Sequence, residues 1–245
     1  QLGTPLFVRQ VRQLRPTPQG KQLFDDLQPA FDTMARAVER VRRAAQPPII
    51  TLSTTPAVAS RWLLPRMEGL RDLDASLGLR LHISHRPVAL DGHSADMAIR
   101  YGSGQWPGLV AHKLFDNWMV PVCSPSLQLQ GIHQLTGATL LHFVPDLDIA
   151  LAKGWPDWQR IAQLPGLDTA RGPVFSDETH TITAALLGQG VALVSQTLVQ
   201  AELASGALAR LGDIGLPAEP FHLVYPQARA DEVAIGVVRR WLVGA

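Results

Sequence analysis

The chain has 245 residues, of which 46% are hydrophobic and 18% charged. That is a globular composition, large enough for one big domain or two ordinary ones, and it excludes disordered and collagen-like classes. The formal net charge of +1 signals neither nucleic acid nor membrane, and the single cysteine, Cys123, excludes a disulfide framework and a Cys-based zinc cluster.

The charge is uneven. Residues 1–45 hold eight Lys/Arg against four acids, whereas the remainder is slightly acidic. A basic front end on an acidic body suggests divided labour. No apolar run approaches the ~20 residues of a membrane helix. No secretory h-region with a small-residue cleavage site is present at the front. The expectation is a cytoplasmic protein without membrane association, whose sequence begins partway through a pattern.

Residues 1–17 read as a short two-stranded ribbon, with Arg9, Arg12 and Arg15 interleaved among Leu6, Phe7, Val8 and Val11. Thr17-Pro18 is a helix start, with Thr as N-cap and Pro at the first helical position. The helix extends to about Ala45 and stops at Pro47-Pro48, with a kink expected near Asp25 because Pro29 removes one backbone hydrogen bond. Its apolar residues, Leu23, Leu27, Phe31, Met34, Val38, Val41 and Ala45, recur at steps of three and four. So narrow a seam suits burial against a second copy of the helix. The alternative is an amphipathic helix folded onto its own domain.

These front residues resemble the LysR-type transcriptional regulators. Leu2, Gly3, Leu6, Phe7 and Arg9, then Leu14, Thr17 and Gly20, follow the family's pattern of a wing leading into a dimerisation helix. The resemblance implies that the base-reading part of a winged helix-turn-helix belongs before Gln1. DNA is then a partner only with those residues restored. Arg9, Arg12 and Arg15 supply backbone contacts, which position a protein without specifying sequence; the bland alternative is a solvated turn.

After Pro48, short apolar runs alternate with helical patterns. Strands are expected at Ile49–Ser53, Leu79–Ile83, Ala95–Tyr101, Trp118–Cys123, Leu140–Phe143, Pro173–Phe175, Val191–Val194 and Phe221–Tyr225. Helices are expected at Ala57–Leu73, Trp155–Ala162, Thr179–Leu187, Thr197–Ala204 and Asp231–Leu242. This alternation reads as α/β with parallel sheets. Hinges near Gln128–Gly131 and Gly212–Pro220 divide the body into lobe I, 49–127 plus 221–245, and lobe II, 128–220. A ligand cleft is expected at the strand C-termini.

The resemblance continues through SRWLLPRMEGL, DMAIRYGSGQW, VPVCSP and AALLGQGVALVSQ. In that order these motifs are similar to the effector-binding domain of the branch containing the glycine-cleavage-operon and β-lactamase activators. The resemblance implies a two-lobed, periplasmic-binding-protein-like clamshell, preceded by a wing remnant and a long linker helix. It also implies a non-enzymatic regulator that self-associates as a dimer or tetramer and answers to a small effector, a carboxylate-bearing metabolite. A solute-binding protein of a transport system shares the clamshell and is the rival.

Candidate effector contacts sit at strand ends. Ser53, Thr54 and Thr55 offer hydroxyls and backbone N–H groups to an anion, or simply cap a helix. Arg100 and Tyr101 share that rim, with Arg100 able to grip a carboxylate or to pair with Asp96. His142 and Phe143 end a strand at the facing rim. Ser176, Asp177 and Thr179 open a helix, for which Asp177 is equally an N-cap, and Tyr225 completes the pocket. Gly190 is expected at positive φ after a helix C-cap.

Catalytic constellations are missing. There is no G-x-S-x-G elbow. Gly102-x-Gly104 leads into Trp106-Pro107 rather than a helix. His82 and His85 point to opposite faces of a strand and cannot share a metal, and Asp146 and Asp148 lack a partner motif. No cofactor or metal is expected.

Overall fold

A computed structural model describes residues 3–10, 13–43, 48–145 and 153–244. The chain divides into two units, 1–48 and 49–245.

In the first unit, β1 (Phe7–Gln10) and β2 (Gln13–Pro16) form an antiparallel ribbon, and α1 (Pro18–Arg43) follows with Pro29 inside it. Thr17 joins ribbon to helix. Its backbone N–H donates to the Leu6 carbonyl, its hydroxyl donates to the Pro5 carbonyl, and its Oγ1 accepts from Gly20 N–H. Gly20 is there because nothing larger fits: a Cβ would lie 2.0 Å from the Leu6 carbonyl oxygen. Gly20→Ala is expected to force the ribbon off the helix start at about 1–3 kcal/mol, a typical overpacking cost. Hydrogen exchange at Thr17 and Gly20 amides should then accelerate. Along α1, Phe24, Leu27, Phe31 and Met34 are exposed.

The second unit is built on one continuous path of strands. These are β3 (Ile49–Thr54), β4 (Gly78–Ile83), β5 (Met97–Tyr101), β6 (Leu109–Cys123), β7 (Leu140–Phe143), β8 (Val174–Phe175), β9 (Val191–Ser195), β10 (Ala209–Arg210) and β11 (Leu216–Pro226). Their spatial order is β4-β3-β5-β11-β6-β9-β7-β8, with β10 beside β6. Two parallel patches, β4-β3-β5 and β9-β7-β8, are thus joined by an antiparallel pair, β11 and β6.

That joining pair departs from the all-parallel expectation. Both of its strands are longer than their apolar runs suggest, and β11 carries Pro217 and Pro220 within it. The chain accommodates them through register shifts between Ala218 and His222, where a bulge relieves the ladder of a missing N–H. The stretch read as a hinge, Gly212–Pro220, is therefore partly strand.

Helices cover the sheet. Pro56–Val58 (α2) continues through a π turn at Ala59–Leu63 and a 3-10 turn at Leu64–Arg66 into α3 (Met67–Leu73). Pro65 cannot donate within a regular helix, which explains the interruption. Then come α4 (Trp155–Ala162), α5 (Glu178–Leu186), α6 (Gln200–Ser205) and α7 (Val233–Val243). One apolar cluster packs Leu52, Trp62, Leu63, Met97, Leu223, Val238 and Trp241. A second gathers Leu135, Leu140, Trp155, Trp158, Val191 and Leu216. The turn from α5 to β9 puts the positive φ at Gly188 (71°), not Gly190. Gly190 answers a different demand, since a Cβ there would meet the Thr139 carbonyl oxygen at 2.4 Å.

Candidate effector cleft

The two parallel patches present their C-terminal strand ends to one cavity of about 110 Å³, floored by the joining strands. A single water needs about 10–15 Å³ on this measure, so the space suits a small molecule. Thr55 reaches it from just past β3, Ala57 from α2, His85 from just past β4, and Tyr101 from the last position of β5. Phe143, Pro145, Lys153 and Glu178 come from the other patch, and Asn117, Met119 and Phe221 from β6 and β11.

Thr55 is the residue before α2, yet its side chain makes no capping hydrogen bond. Its hydroxyl is left to the cleft. Tyr101 OH accepts from the Glu219 backbone N–H at 3.2 Å, and burial raises the phenol's pKa. Tyr101 and Phe221 pack with ring centroids 5.5 Å apart. Asn117 is buried, and its Oδ1 has no hydrogen-bond partner.

Glu178 is the distinctive group. It is 8% exposed and accepts from the Ser195 backbone N–H at 2.9 Å through Oε1. Burial drives its pKa up to about 6, partly opposed by the Ser195 hydrogen bond and by the positive charge of Arg61. Beside it, Asp177 caps α5 by accepting from Thr179 N–H at 2.7 Å and hydrogen-bonds His85 Nε2 at 3.0 Å. Burial opposes the Asp177 charge, but the bonds from His85 and Thr179 outweigh it and hold the carboxyl below its usual range.

A carboxyl pushed from 4.5 to about 6 binds its proton more tightly folded than unfolded. It favours folding below about pH 4.5, and this contribution fades as pH rises through 6, leaving a relative cost of about 2 kcal/mol. Glu178→Gln keeps an acceptor for Ser195. It is expected to be more stable than the parent by about 1–2 kcal/mol near neutrality, with the difference closing toward pH 4.5. Urea denaturation across that range checks both sign and window.

Several residues expected as effector contacts are not among those lining this cavity. Ser53 and Thr54 are buried within β3, and Thr54 Oγ1 has no partner. Arg100 alternates away from Tyr101 and donates to the Val88 carbonyl at 3.0 Å, while Asp96 instead binds Arg229. His142 donates to the Arg171 carbonyl at 2.9 Å, and Ser176 is exposed. Thr179 faces an open groove with Asp177 and His180, away from the cleft lining. Tyr225 is buried at the far end of β11, its hydroxyl 2.9 Å from His112 Nε2. Because β11 runs antiparallel to β5, its Phe221 lies opposite Tyr101 and meets the rim in Tyr225's stead.

In the first unit, Arg15 is exposed. Arg12, the Arg9 side chain, and Asp146 with Asp148 lie outside the described residues. Cys123 is buried, which raises its thiol pKa.

Glu178, Asn117, His85 and Lys153 were not anticipated. In sequence, Glu178 reads only as a first-turn acid favourable to the helix dipole, and nothing there marks it as turned inward. Among the described residues, no group of three or more His, Cys, Asp or Glu is placed to hold a metal ion. No described helix is long and apolar enough to cross a membrane.

Residues 45–245 match the family model of the LysR substrate binding domain. The chain belongs to the LysR family. This LysR-type regulator is 30% identical over 248 residues to the glycine cleavage system transcriptional activator of Escherichia coli K12, covering 99% of this chain and 79% of that protein. It is 31% identical over 245 residues to the transcriptional activator AmpR of Rhodobacter capsulatus, covering 99% and 82%. The effector domain of AmpR from Pseudomonas aeruginosa superposes with a TM-score of 0.68 at 29% identity, over 80% of this chain and 94% of that one. CrgA of Neisseria meningitidis, at 24% identity and a TM-score of 0.67, shares the fold over 99% of this chain and 84% of its own. The two-lobed, periplasmic-binding-protein-like architecture is that of LysR effector-binding domains, and the body of this LysR regulator is such a domain. The transport-protein reading is not favoured.

Proposed function

We propose that this regulator senses a small carboxylate-bearing metabolite in the cleft and relays its occupancy to promoter DNA through a dimer or tetramer. The lobes are taken as 49–127 plus 221–245, and 128–220. The observation that carries the reading is a cavity lined from both parallel patches, with Thr55 and Tyr101 on one side and Phe143, Lys153 and Glu178 on the other. A ligand bridging them favours one lobe arrangement over another, and only such differential contact shifts an equilibrium. Lys153 supplies a cation for the carboxylate, and the Thr55 hydroxyl an additional polar contact.

The exposed Phe24, Leu27, Phe31 and Met34 support self-association through α1. DNA binding is assigned to a helix-turn-helix preceding Gln1, with the wing arginines on the phosphates. The relatives are transcriptional activators, which supports a non-enzymatic role, and a promoter-bound regulator of this kind works in the cytoplasm.

The test uses the protein with its helix-turn-helix restored. A thermal-shift screen of small organic acids and amino acids should yield a compound that stabilises the protein and changes its affinity for promoter DNA by gel shift. Thr55→Ala should weaken that compound by about 1–3 kcal/mol. A restored protein that binds no promoter DNA, or a stabilising compound indifferent to Thr55→Ala and Lys153→Ala together, would overturn the reading.

A further inference from the structure

The chemistry of the cleft is asymmetric in a way that narrows its occupant. Glu178 uses Oε1 on Ser195, and among the described residues no hydrogen bond engages Oε2. A carboxylate that is 8% exposed and only half satisfied is expensive, since buried charges are ordinarily paired and hydrogen-bonded.

The nearby cations do not satisfy it. Arg61 Nη1 is engaged by Glu202, and His85 by Asp177. Lys153 lines the same cavity, but no ion pair joins it to Glu178 among the described residues, and the groups acting on Glu178 electrostatically are Arg61, Asp177 and His85. Around the opening stand the rings of Tyr101, Phe143 and Phe221 and the thioether of Met119. Aromatic faces attract cations, and more strongly when water is excluded. Asn117 adds a buried amide oxygen without a partner.

We propose that the cleft selects a ligand carrying a protonated amine, held by Glu178 Oε2 among the rings of Tyr101, Phe143 and Phe221. The inference rests on the effector reading and sharpens it. With Lys153 taking the carboxylate, the ligand class is a small amino acid or a compound of the same zwitterionic pattern. Glu178 is then the specificity determinant. Its buried charge, destabilising in the empty protein, is neutralised only by the right occupant. A neutral amide or a plain organic acid leaves the charge stranded and is rejected.

The test is a calorimetric and thermal-shift panel on the full chain. It comprises the proteinogenic amino acids, their N-acetyl derivatives, and three nitrogen-free acids: acetate, succinate and 2-oxoglutarate. At about pH 7.5 at least one free amino acid should bind. Its N-acetyl form and Glu178→Gln should each weaken binding by roughly tenfold or more, the loss of a charge-assisted hydrogen bond. Affinity should also fall as pH drops through about 6 in the parent and not in Glu178→Gln. That variant is expected to be more stable than the parent, so lost binding is not lost folding. Glu178→Asp should recover part of the affinity.

A nitrogen-free acid binding as tightly as any amine, unaffected by Glu178→Gln, would overturn the amine assignment and leave the effector reading standing. A panel in which nothing binds the parent would overturn both.

Discussion

Replacing Asp96 with alanine is expected to destabilise the effector domain by about 3–4 kcal/mol, and to lower its melting temperature by about 10 °C. Asp96 is 1% exposed and stands just before β5. One carboxylate oxygen accepts from the Thr51 backbone N–H in β3 at 2.7 Å, and the other from Arg229 Nη1 at 2.7 Å. The Asp96 backbone N–H also donates to the Thr51 carbonyl. One side chain thus ties the central strand of a parallel patch to the turn before α7.

Alanine strands the Thr51 N–H in a dry place and removes two charge-assisted bonds. Arg229 keeps its second partner, Glu232, through two bonds of 2.7 Å. This retention holds the loss below the extreme expected when a buried cation is left wholly alone. Asp96→Asn is the informative control, because it preserves one acceptor for Thr51 at nearly equal volume. About half the loss should return. Guanidinium unfolding of both variants measures the difference, and equal losses would show that the ion pair, not the Thr51 bond, carries the stability.

The same residue shows where sequence reasoning reaches and where it stops. An acid beside a strand is visible in Asp96-Met97-Ala98-Ile99, but its partner is 133 positions away and has no local signal. The parallel units were legible because each apolar run is short, uninterrupted and followed by a helical pattern, as at Ile49–Thr54 and Val191–Ser195. The joining strands were legible only at Trp118–Cys123 and Phe221–Tyr225, and neither their full length nor their antiparallel pairing was. Lys113, Asp116 and Asn117 break the apolar pattern of β6, and two prolines do so in β11.

The site followed the same logic. That Thr55, Tyr101 and Phe143 line the cavity follows from their places at or just past the C-terminal ends of parallel strands. Their neighbours Arg100 and His142 are not in that lining, since successive strand residues face opposite sides. Tyr225 is not in it either, because β11 runs the other way and brings Phe221 there instead. Glu178 depended on tertiary burial, which has no period and leaves no mark in the string.

Trp158→Ala is the second large effect, expected to cost about 3–5 kcal/mol. The side chain is fully buried in the smaller apolar cluster, edge-to-face with Trp155 at a centroid separation of 5.6 Å. Its Nε1 donates to the Ile214 carbonyl at 3.1 Å, just ahead of β11, while Trp155 Nε1 donates to the Leu141 carbonyl in β7 at 3.0 Å. The pair therefore pins α4 to two strands that also supply cleft residues, Phe143 and Phe221. Alanine removes the indole's dispersion contacts, leaves a void that the surrounding leucines fill only partly, and strands the Ile214 carbonyl. Phenylalanine separates these contributions: it restores most of the packing but not the hydrogen bond, so Trp158→Phe should retain about 1–2 kcal/mol of the loss. Because α4 begins two residues after Lys153, its loosening should also blur that wall of the cleft. A ligand found by the amine panel should then bind Trp158→Ala more weakly even at temperatures where the variant is fully folded. Unchanged affinity in a folded Trp158→Ala would mean that the cleft wall holds its shape without this anchor.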